Sequence, residues 1–179
     1  PIASDTDNRL NLLGMTKSEL EEFFESIGEK KFRGRQVFSW LYHRREPHID
    51  RMTDLSKPLR EKLADIADIR YPAIAEKLNS AAGNSAKLRL ILDDGETVEA
   101  VLMAEGARVT LCLSTQAGCA LGCRFCATGS MGFRRNLTTA EIVGQYIAAA
   151  GESENRITNL VFMGMGEPLL NYDNAAKAV

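Results

Sequence analysis

Three cysteines in one short segment are the residues of this chain whose type and spacing could support chemistry. Cys119, Cys123 and Cys126 form a C-x3-C-x2-C run directly after a strand-like segment. A structural zinc site closes with four ligands, and an ordinary iron–sulfur cluster is held by four thiolates. Three thiolates within eight residues can instead hold three irons of a [4Fe–4S] cube. The fourth iron would then be free to bind a small molecule and pass it an electron.

A second motif lies further along the chain, where residues 160–168 read as a buried strand that enters a glycine-rich turn with one carboxylate, Glu167. Glycine suits such a turn because a backbone without a Cβ can approach a ligand closely. Together with Phe125, which precedes the last cysteine, the two motifs resemble the radical S-adenosylmethionine (SAM) superfamily. The resemblance implies a [4Fe–4S] cluster on the three cysteines, with SAM filling the open iron. It also implies that Phe125 lies near the adenine, and that Gly166 and Glu167 bind the methionine end of SAM.

Other interpretations of the cysteines stay open. Cys112, seven residues before Cys119, could be the fourth ligand of a zinc site in a non-catalytic RNA-binding module. It could equally complete a four-cysteine cluster in a simple electron carrier. The zinc interpretation predicts no visible absorption, and both predict indifference to SAM.

The composition is that of an ordinary globular protein. The chain has 179 residues, 45% of them hydrophobic and 26% charged, with a net charge of −2, which allows one full domain or two small ones. No apolar run approaches the roughly 20 residues of a membrane span, and the first residues lack the pattern of a signal peptide. Four cysteines within fifteen residues suit a reducing compartment. We therefore predict a cytoplasmic protein without a membrane partner.

Basic residues are concentrated in two places. The first group has aromatic residues interleaved and consists of Lys30, Lys31, Arg33, Arg35, Arg44 and Arg45. The second lies beside the cysteines and consists of Arg124, Arg134 and Arg135. Such groups can contact nucleic-acid phosphates. For the first group, a solvated helix face with core aromatics is an equally good interpretation.

The first part of the chain shows helical periodicity. A capping box at Thr16 and Glu19 predicts a helix over 16–28, and further helices are expected over 33–44 and from Ser56 to before Pro72. After a disordered tail over 1–9, these make a small all-α domain over 10–72, and we assign 10–80 to this accessory domain. Residues 81–105 then alternate in hydrophobicity around an Asp-Gly turn, which predicts a β-hairpin linker.

Residues 106–179 alternate strand and helix. Strands over 108–114 and 157–163, each followed by a loop and a helix, predict parallel βα units. The fold class is therefore α/β, with the first βα units of a partial (β/α) barrel after the helical domain and the hairpin. Both motif loops should lie at the same rim, where such barrels build active sites. Two units cannot close a barrel, so we expect a fragment.

Longer segments resemble one family within the superfamily, the RlmN dual-specificity RNA methyltransferases. They are residues 11–14, 28–42, 52–56, 98–101, 110–119, 132–137 and 163–171. The resemblance covers nearly all of the chain and roughly the first half of a family member. It implies methylation of carbon 2 of adenosine in 23S ribosomal RNA and some transfer RNAs, an external electron donor such as flavodoxin, and a full-length monomer. The related Cfr-type enzymes, which methylate carbon 8, are the alternative.

The family resemblance also implies roles for two further residues. Glu99 matches the family's proton acceptor, although an acid on an alternating strand usually faces solvent. Cys112 matches a cysteine that pairs with a methyl-carrying cysteine and helps to release the product, although by default it would be a small buried hydrophobe. The family's methyl carrier lies near its C-terminus, and the chain's four cysteines are already assigned. The isolated chain is therefore predicted to be inactive.

Overall fold

The computed structural model describes residues 9–179 and divides the chain into two compact units. The first unit ends at Arg70, and the second runs from Tyr71 to Val179. The tail predicted over 1–9 lies outside the described residues except for Arg9, whose guanidinium Nη1 donates to the Ala64 carbonyl at 3.0 Å. No helix within residues 9–179 is long and apolar enough to cross a membrane.

The first unit consists of three helices and two very short strands. In chain order they are β1 (Leu10–Asn11), α1 (Lys17–Ser26), α2 (Phe32–Phe38), which continues as a π-helix (Ser39–Arg44), a 3-10 turn (Ile49–Arg51), α3 (Lys57–Ile66) and β2 (Ala67–Asp68). The unit has its own apolar core, which includes Leu20, Phe24, Val37, Trp40 and Leu63. The expectation of an all-α domain was incomplete, because β1 and β2 pair in parallel, with Leu10 opposite Ala67 and Asn11 opposite Asp68.

The first helix forms as its sequence predicts. The Thr16 side chain accepts from the Glu19 amide and the Glu19 carboxylate accepts from the Thr16 amide, so the capping box is confirmed. Gly28 follows the helix with φ +80°, a conformation that a residue without a Cβ adopts at little cost.

The second predicted helix ends in π-helical turns. Two aromatic side chains of this segment are held by partners elsewhere in the unit. The Trp40 indole Nε1–H donates to Asp54 Oδ1 at 2.6 Å, and the Tyr42 hydroxyl donates to the Met15 carbonyl at 3.0 Å. Arg45, in the left-handed region at φ 56°, ends the helix. We associate the wider turns with these fixed aromatic positions, which helical periodicity alone does not reveal.

The second unit is built on a five-stranded sheet with the order β3-β4-β5-β6-β9. Its elements are β3 (Ala73–Asn79), β4 (Ser85–Ile91), β5 (Thr97–Glu105), β6 (Arg108–Cys112), β7 (Gln116–Gly118), α4 (Ala127–Ser130), β8 (Phe133–Asn136), α5 (Thr139–Glu152), β9 (Asn159–Val161), a 3-10 turn (Pro168–Asn171) and α6 (Tyr172–Lys177). Strands β3 to β6 are antiparallel neighbours, and β6 pairs with β9 in parallel. The predicted α/β class with a partial barrel is confirmed.

The β4–β5 hairpin forms around Gly95, whose φ is +86°, but it is not a separate linker. It is the middle of the sheet, since β3 pairs with β4 and β6 pairs with β5. Residues 71–80, which the sequence analysis assigned to the helical domain, belong to the second unit and include β3. Strand β3 is an exposed edge strand with several polar residues, which is why it lacks the alternation that marks a half-buried strand.

Helix α5 connects the cysteine region to β9 and covers one face of the sheet. Its residues Ile142, Ala148 and Ala149 share the core with Leu88 of β4 and Leu111 of β6. The opposite face carries Glu99, Val101 and Cys112, since the register sets Cys112 opposite Val101 and the side chains of a strand alternate between faces. We call this the open face of the sheet.

Candidate functional site

The three clustered cysteines lie in a loop that a small hairpin closes. Strands β7 and β8 pair antiparallel, with Gln116 opposite Asn136, and the Cys119 amide donates to the Gly132 carbonyl at 3.1 Å. A Cβ on Gly118 would lie 1.9 Å from the Gly132 oxygen, so glycine is required for this closure. We call residues 119–132 the cysteine loop. The strands of this hairpin are too short to show a period in the sequence, so the hairpin was not predicted.

The three thiols are partly exposed. The pKa of Cys126 is lowered, first by a hydrogen bond from the Gly129 amide and then by one from the Thr128 amide, which favours the thiolate that binds metals. Within residues 9–179, no three His, Cys, Asp or Glu side chains are already gathered as metal ligands. The three thiols therefore share one loop, but in this structure they are not gathered as a set of metal ligands.

Phe125 projects from the cysteine loop and is 95% exposed. The packing within the second unit therefore leaves its ring free for a ligand. Its expected place near an adenine stays a prediction.

The second motif follows β9 and lies against the chain between β6 and β7. We call residues 162–167 the second-motif loop. The Met165 carbonyl accepts from the amides of Thr115 at 2.8 Å and Gln116 at 3.2 Å. A Cβ on Gly164 would lie 2.7 Å from Ser114 Oγ, and one on Gly166, at φ +93°, would lie 2.5 Å from Gln116 Cβ. Close contact with the neighbouring chain segment is therefore the structural reason for these glycines, in addition to the approach of a ligand expected from the sequence.

Glu167 occupies a defined position at the end of this loop. Its amide donates to Gln116 Oε1 at 2.9 Å, and its carboxylate caps the following 3-10 turn by accepting from the Leu169 amide at 3.2 Å. The side chain is partly exposed, so it can reach a ligand.

The two motifs meet at one cavity. A cavity of about 290 Å³ is lined by Gly118, Met131 and Gly132 from the cysteine hairpin and by Met165 from the second-motif loop. Its other walls include Thr97 at the start of β5. The expectation that both motif loops reach the same rim agrees with this geometry.

Glu99 and Cys112 share the open face of the sheet. Cys112 lies opposite Val101, so Glu99 is its diagonal neighbour. The Glu99 carboxylate forms an ion pair with Lys87 Nζ at 2.9 Å and is 43% exposed. Burial raises the pKa of Cys112, and a hydrogen bond from the Met163 amide partly opposes this effect. Cys112 is therefore a mainly protonated thiol beside the second-motif loop.

Four buried polar residues around the motifs were not singled out from the sequence. They are Ser114, Gln116, Gln145 and Asn171, each no more than 4% exposed. Ser114 Oγ donates to the Glu99 carbonyl at 2.6 Å and accepts from the Met165 amide at 2.8 Å, and so links three elements of the site. The available signal was the polar run Ser-Thr-Gln at the end of an apolar strand, since buried polar residues are usually committed to hydrogen bonds.

The basic groups are only partly free. In the first unit, Lys31 pairs with Glu25 at 3.3 Å, Arg35 pairs with Glu21 at 3.4 Å, and the Arg44 guanidinium lies 4.0 Å from the centre of the Trp40 ring. Lys30 and Arg45 are exposed.

In the second unit, Arg135 is committed to Glu141 and Asp94, and its pKa is raised by those carboxylates, Glu141 first. Arg124 and Arg134 are exposed. Positive charge is therefore available in both groups, but fewer residues carry it than the sequence count indicates.

Comparison with known proteins defines the class. Residues 113–179 match the sequence model of the radical SAM superfamily. A solved structure, described as a radical SAM methyltransferase from Sphaerobacter thermophilus, aligns with a TM-score of 0.86 and 40% identity, over 94% of this chain and 50% of that one. The second unit is thus part of a radical SAM domain.

The family follows from the first unit and from curated relatives. Residues 10–69 match the ribosomal RNA large subunit methyltransferase N-terminal domain. The dual-specificity RNA methyltransferase RlmN of Marinobacter nauticus is 48% identical over 96% of this chain and 48% of its own length, and that of Halorhodospira halophila is 50% identical over 94% and 47%. The chain therefore corresponds to about half of an RlmN protein, and the resemblance noted in the sequence is confirmed. It spans about half the length of these relatives.

Membership of the superfamily implies a [4Fe–4S] cluster and SAM as cofactors, and the residues present fit both groups. Three partly exposed thiols on one loop are the soft donors that iron–sulfur clusters use. The cavity at the base of the cysteine loop is also lined by Met165 of the second-motif loop, two residues before the partly exposed Glu167.

Proposed function

We propose that the whole protein is a radical SAM methyltransferase that adds a methyl group to carbon 2 of adenosine in 23S ribosomal RNA and in some transfer RNAs. The observation that carries the proposal is the cavity shared by the cysteine hairpin and the second-motif loop, in a chain of the RlmN family. The relatives are named dual-specificity RNA methyltransferases, which supports RNA as the substrate. Because the chain spans about half of their length, the activity is proposed for the whole protein.

The cofactor site is assigned to residues on the two motif loops. Cys119, Cys123 and Cys126 would hold the cluster, Gly166 and Glu167 the methionine end of SAM, and Phe125 would pack near the adenine. When bound, these cofactors supply a radical, which an aromatic C–H carbon without a nucleophilic lone pair requires. The chain's own contribution is to hold the ligand at the cavity beside Met165.

The open face is assigned to the substrate. Glu99 would accept a proton from the adenine through its carboxylate, which requires the ion pair with Lys87 to open. Cys112 would serve as the thiol that pairs with the methyl-carrying cysteine of the whole protein. Its burial and raised pKa favour a thiol that is kept unreactive until a partner arrives.

The partners follow from the same family. The first unit would bind RNA through its exposed basic residues, since basic groups that contact phosphates supply affinity that does not depend on the RNA sequence. We also propose an external electron donor such as flavodoxin, a monomeric whole protein and a cytoplasmic location.

The deciding experiment is electron paramagnetic resonance of the anaerobically reconstituted, reduced 179-residue chain, with and without SAM. The expected result is a [4Fe–4S]⁺ signal that changes when SAM is added. Cys123→Ala should abolish the cluster, whereas Cys112→Ala should keep it. A cluster that is lost in Cys112→Ala would identify a four-cysteine carrier, and bound zinc without a cluster would identify a structural metal site. Mass spectrometry of RNA modified by the full-length protein would distinguish carbon 2 from carbon 8.

A further inference from the structure

Gln116 is a polar residue that is almost fully buried between the two motifs. It begins β7 and is 1% exposed. Its side-chain oxygen Oε1 accepts from the Glu167 amide at 2.9 Å, and its Nε2 donates to Asn136 Oδ1 at 2.8 Å. One amide group thus connects the residue that would bind SAM to strand β8 of the cysteine hairpin.

The backbone around Gln116 leaves the second-motif loop no room to move closer. The Met165 carbonyl accepts from the Gln116 amide, and a Cβ on Gly166 would overlap the Gln116 side chain at 2.5 Å from its Cβ and 2.7 Å from its Cγ. Residues 165–167 therefore pack directly against Gln116. A displacement of this side chain would break the hydrogen bond that holds the Glu167 amide or move Glu167 with it.

Asn136 closes the arrangement into a ring. It is the register partner of Gln116 across the hairpin, and its Nδ2 donates to the Leu170 carbonyl at 3.3 Å. Leu170 lies one turn after Glu167, and its amide donates to the Glu167 carbonyl at 3.0 Å. The ring runs from Gln116 to Glu167, on to Leu170, and back through Asn136.

We propose that Gln116 is a positioning residue for SAM, an inference that rests on the proposed function. It holds Glu167 at a fixed place relative to the cysteine hairpin. One SAM molecule can then reach the open iron and the second-motif loop at the same time. Without this anchor, binding would have to order the loop, and ordering backbone and side chains opposes association.

Gln145 provides a matched control. It is also a buried glutamine, at 0% exposure, and both ends of its amide bind the Ser114 backbone, with Oε1 accepting at 2.9 Å and Nε2 donating at 2.8 Å. Its remaining contact is the Glu141 carbonyl. Replacing either glutamine by methionine, an unbranched apolar side chain that adapts to its surroundings, removes a comparable buried amide.

The experiment compares Gln116→Met and Gln145→Met in the 179-residue chain. Iron content and the reduced cluster signal should match the wild type in both variants, because the cysteines are unchanged. The SAM concentration that half-saturates the change in the signal should rise about tenfold in Gln116→Met, equivalent to about 1.4 kcal/mol of binding free energy, and should stay within about twofold in Gln145→Met. Asn136→Ala changes an exposed residue and should shift the same concentration in the same direction by a smaller factor.

A second measurement needs neither cluster nor SAM. Hydrogen exchange of the Glu167 amide should be at least about tenfold faster in Gln116→Met, because that amide loses its acceptor, and close to the wild-type rate in Gln145→Met. Unchanged exchange or unchanged SAM affinity in Gln116→Met would overturn the inference while leaving the proposed function intact. Equal losses in both glutamine variants would overturn it too, by indicating general destabilisation. A wild-type chain that carries the cluster but does not respond to SAM would contradict the assignment of the SAM site to this chain, and the inference with it.

Discussion

The cysteine loop and the second-motif loop would serve one ligand, yet they are built differently. The second-motif loop is fixed along its length, since Ser114, Thr115 and Gln116 hydrogen-bond its residues and its glycines touch the neighbouring strand. The cysteine loop is closed at its base by Cys119 and Gly132. Beyond that point its hydrogen bonds join residues only three positions apart, and several of its apolar side chains are exposed.

This difference indicates that the two loops contribute to the site in different ways. A site for a small molecule needs a rigid part that sets its position and orientation. A cluster of irons and sulfides contributes bonds that can order a loop after folding, because metal binding couples to local structure. The second-motif loop is therefore the rigid reference of the site, and the cysteine loop is the part whose final shape depends on its ligand.

The largest expected effect comes from adding a methyl group to each loop. Gly166→Ala places a Cβ 2.5 Å from Gln116 Cβ at φ +93°, whereas Gly122→Ala, at φ +59°, meets nothing within 4 Å. Strain and overpacking should lower the free energy of unfolding by about 3 kcal/mol in Gly166→Ala, against about 1 kcal/mol in Gly122→Ala, where backbone strain acts alone. Urea titrations followed by far-UV circular dichroism give both values. Equal losses would remove the distinction between the two loops.

The two motifs could be read from the sequence because each is local. Cysteine spacing within eight residues and a glycine-rich turn after a strand need no knowledge of the fold. The contact between the second-motif loop and Gln116 could not be predicted in this way, because it joins residues 51 positions apart. The same limit applies to β1 and β2, which are too short to show a period, and to β3, whose exposed polar residues conceal it.

The reaction rates of the four thiols allow a direct comparison of the cysteine loop with the packed sheet. Cys112 is 7% exposed, with a pKa raised by burial, whereas the three loop cysteines are partly exposed. In the reduced, cluster-free chain, N-ethylmaleimide should modify Cys112 at least about tenfold more slowly than the loop cysteines, because reaction requires an accessible thiolate. Peptide mass spectrometry over a time course gives the four rates, and unfolding in urea should bring them close together. A Cys112 that reacts as fast as Cys123 in the native chain would mean that the strand end is as open as the loop.

The smallest expected effect concerns Arg135, which anchors the base of the cysteine loop to the rest of the unit. It lies on β8 and binds Glu141 at the start of α5 and Asp94 in the β4–β5 turn. The hydrogen bond from Arg135 is the main cause of the lowered pKa of Asp94. Since the folded state lowers this pKa, the contribution to stability is complete above the ordinary Asp value of 3.8. It is lost as the pH falls through the folded value.

Arg135→Ala should therefore lower the free energy of unfolding near neutral pH by about 1 kcal/mol, since these groups are partly exposed and solvent screens them. The difference from the wild type should stay constant from pH about 6 to about 4 and should shrink as the pH falls below the ordinary Asp value of 3.8, because protonated Asp94 no longer pairs with the guanidinium. Arg89→Ala, which breaks the exposed pair with Glu76, is the matched control, with an expected loss below about 0.5 kcal/mol. Urea titrations across this pH range measure both variants. A difference for Arg135→Ala that does not depend on pH would mean that the arginine stabilises the hairpin through packing of its stem, and that the cysteine loop owes its anchoring to contacts other than charge.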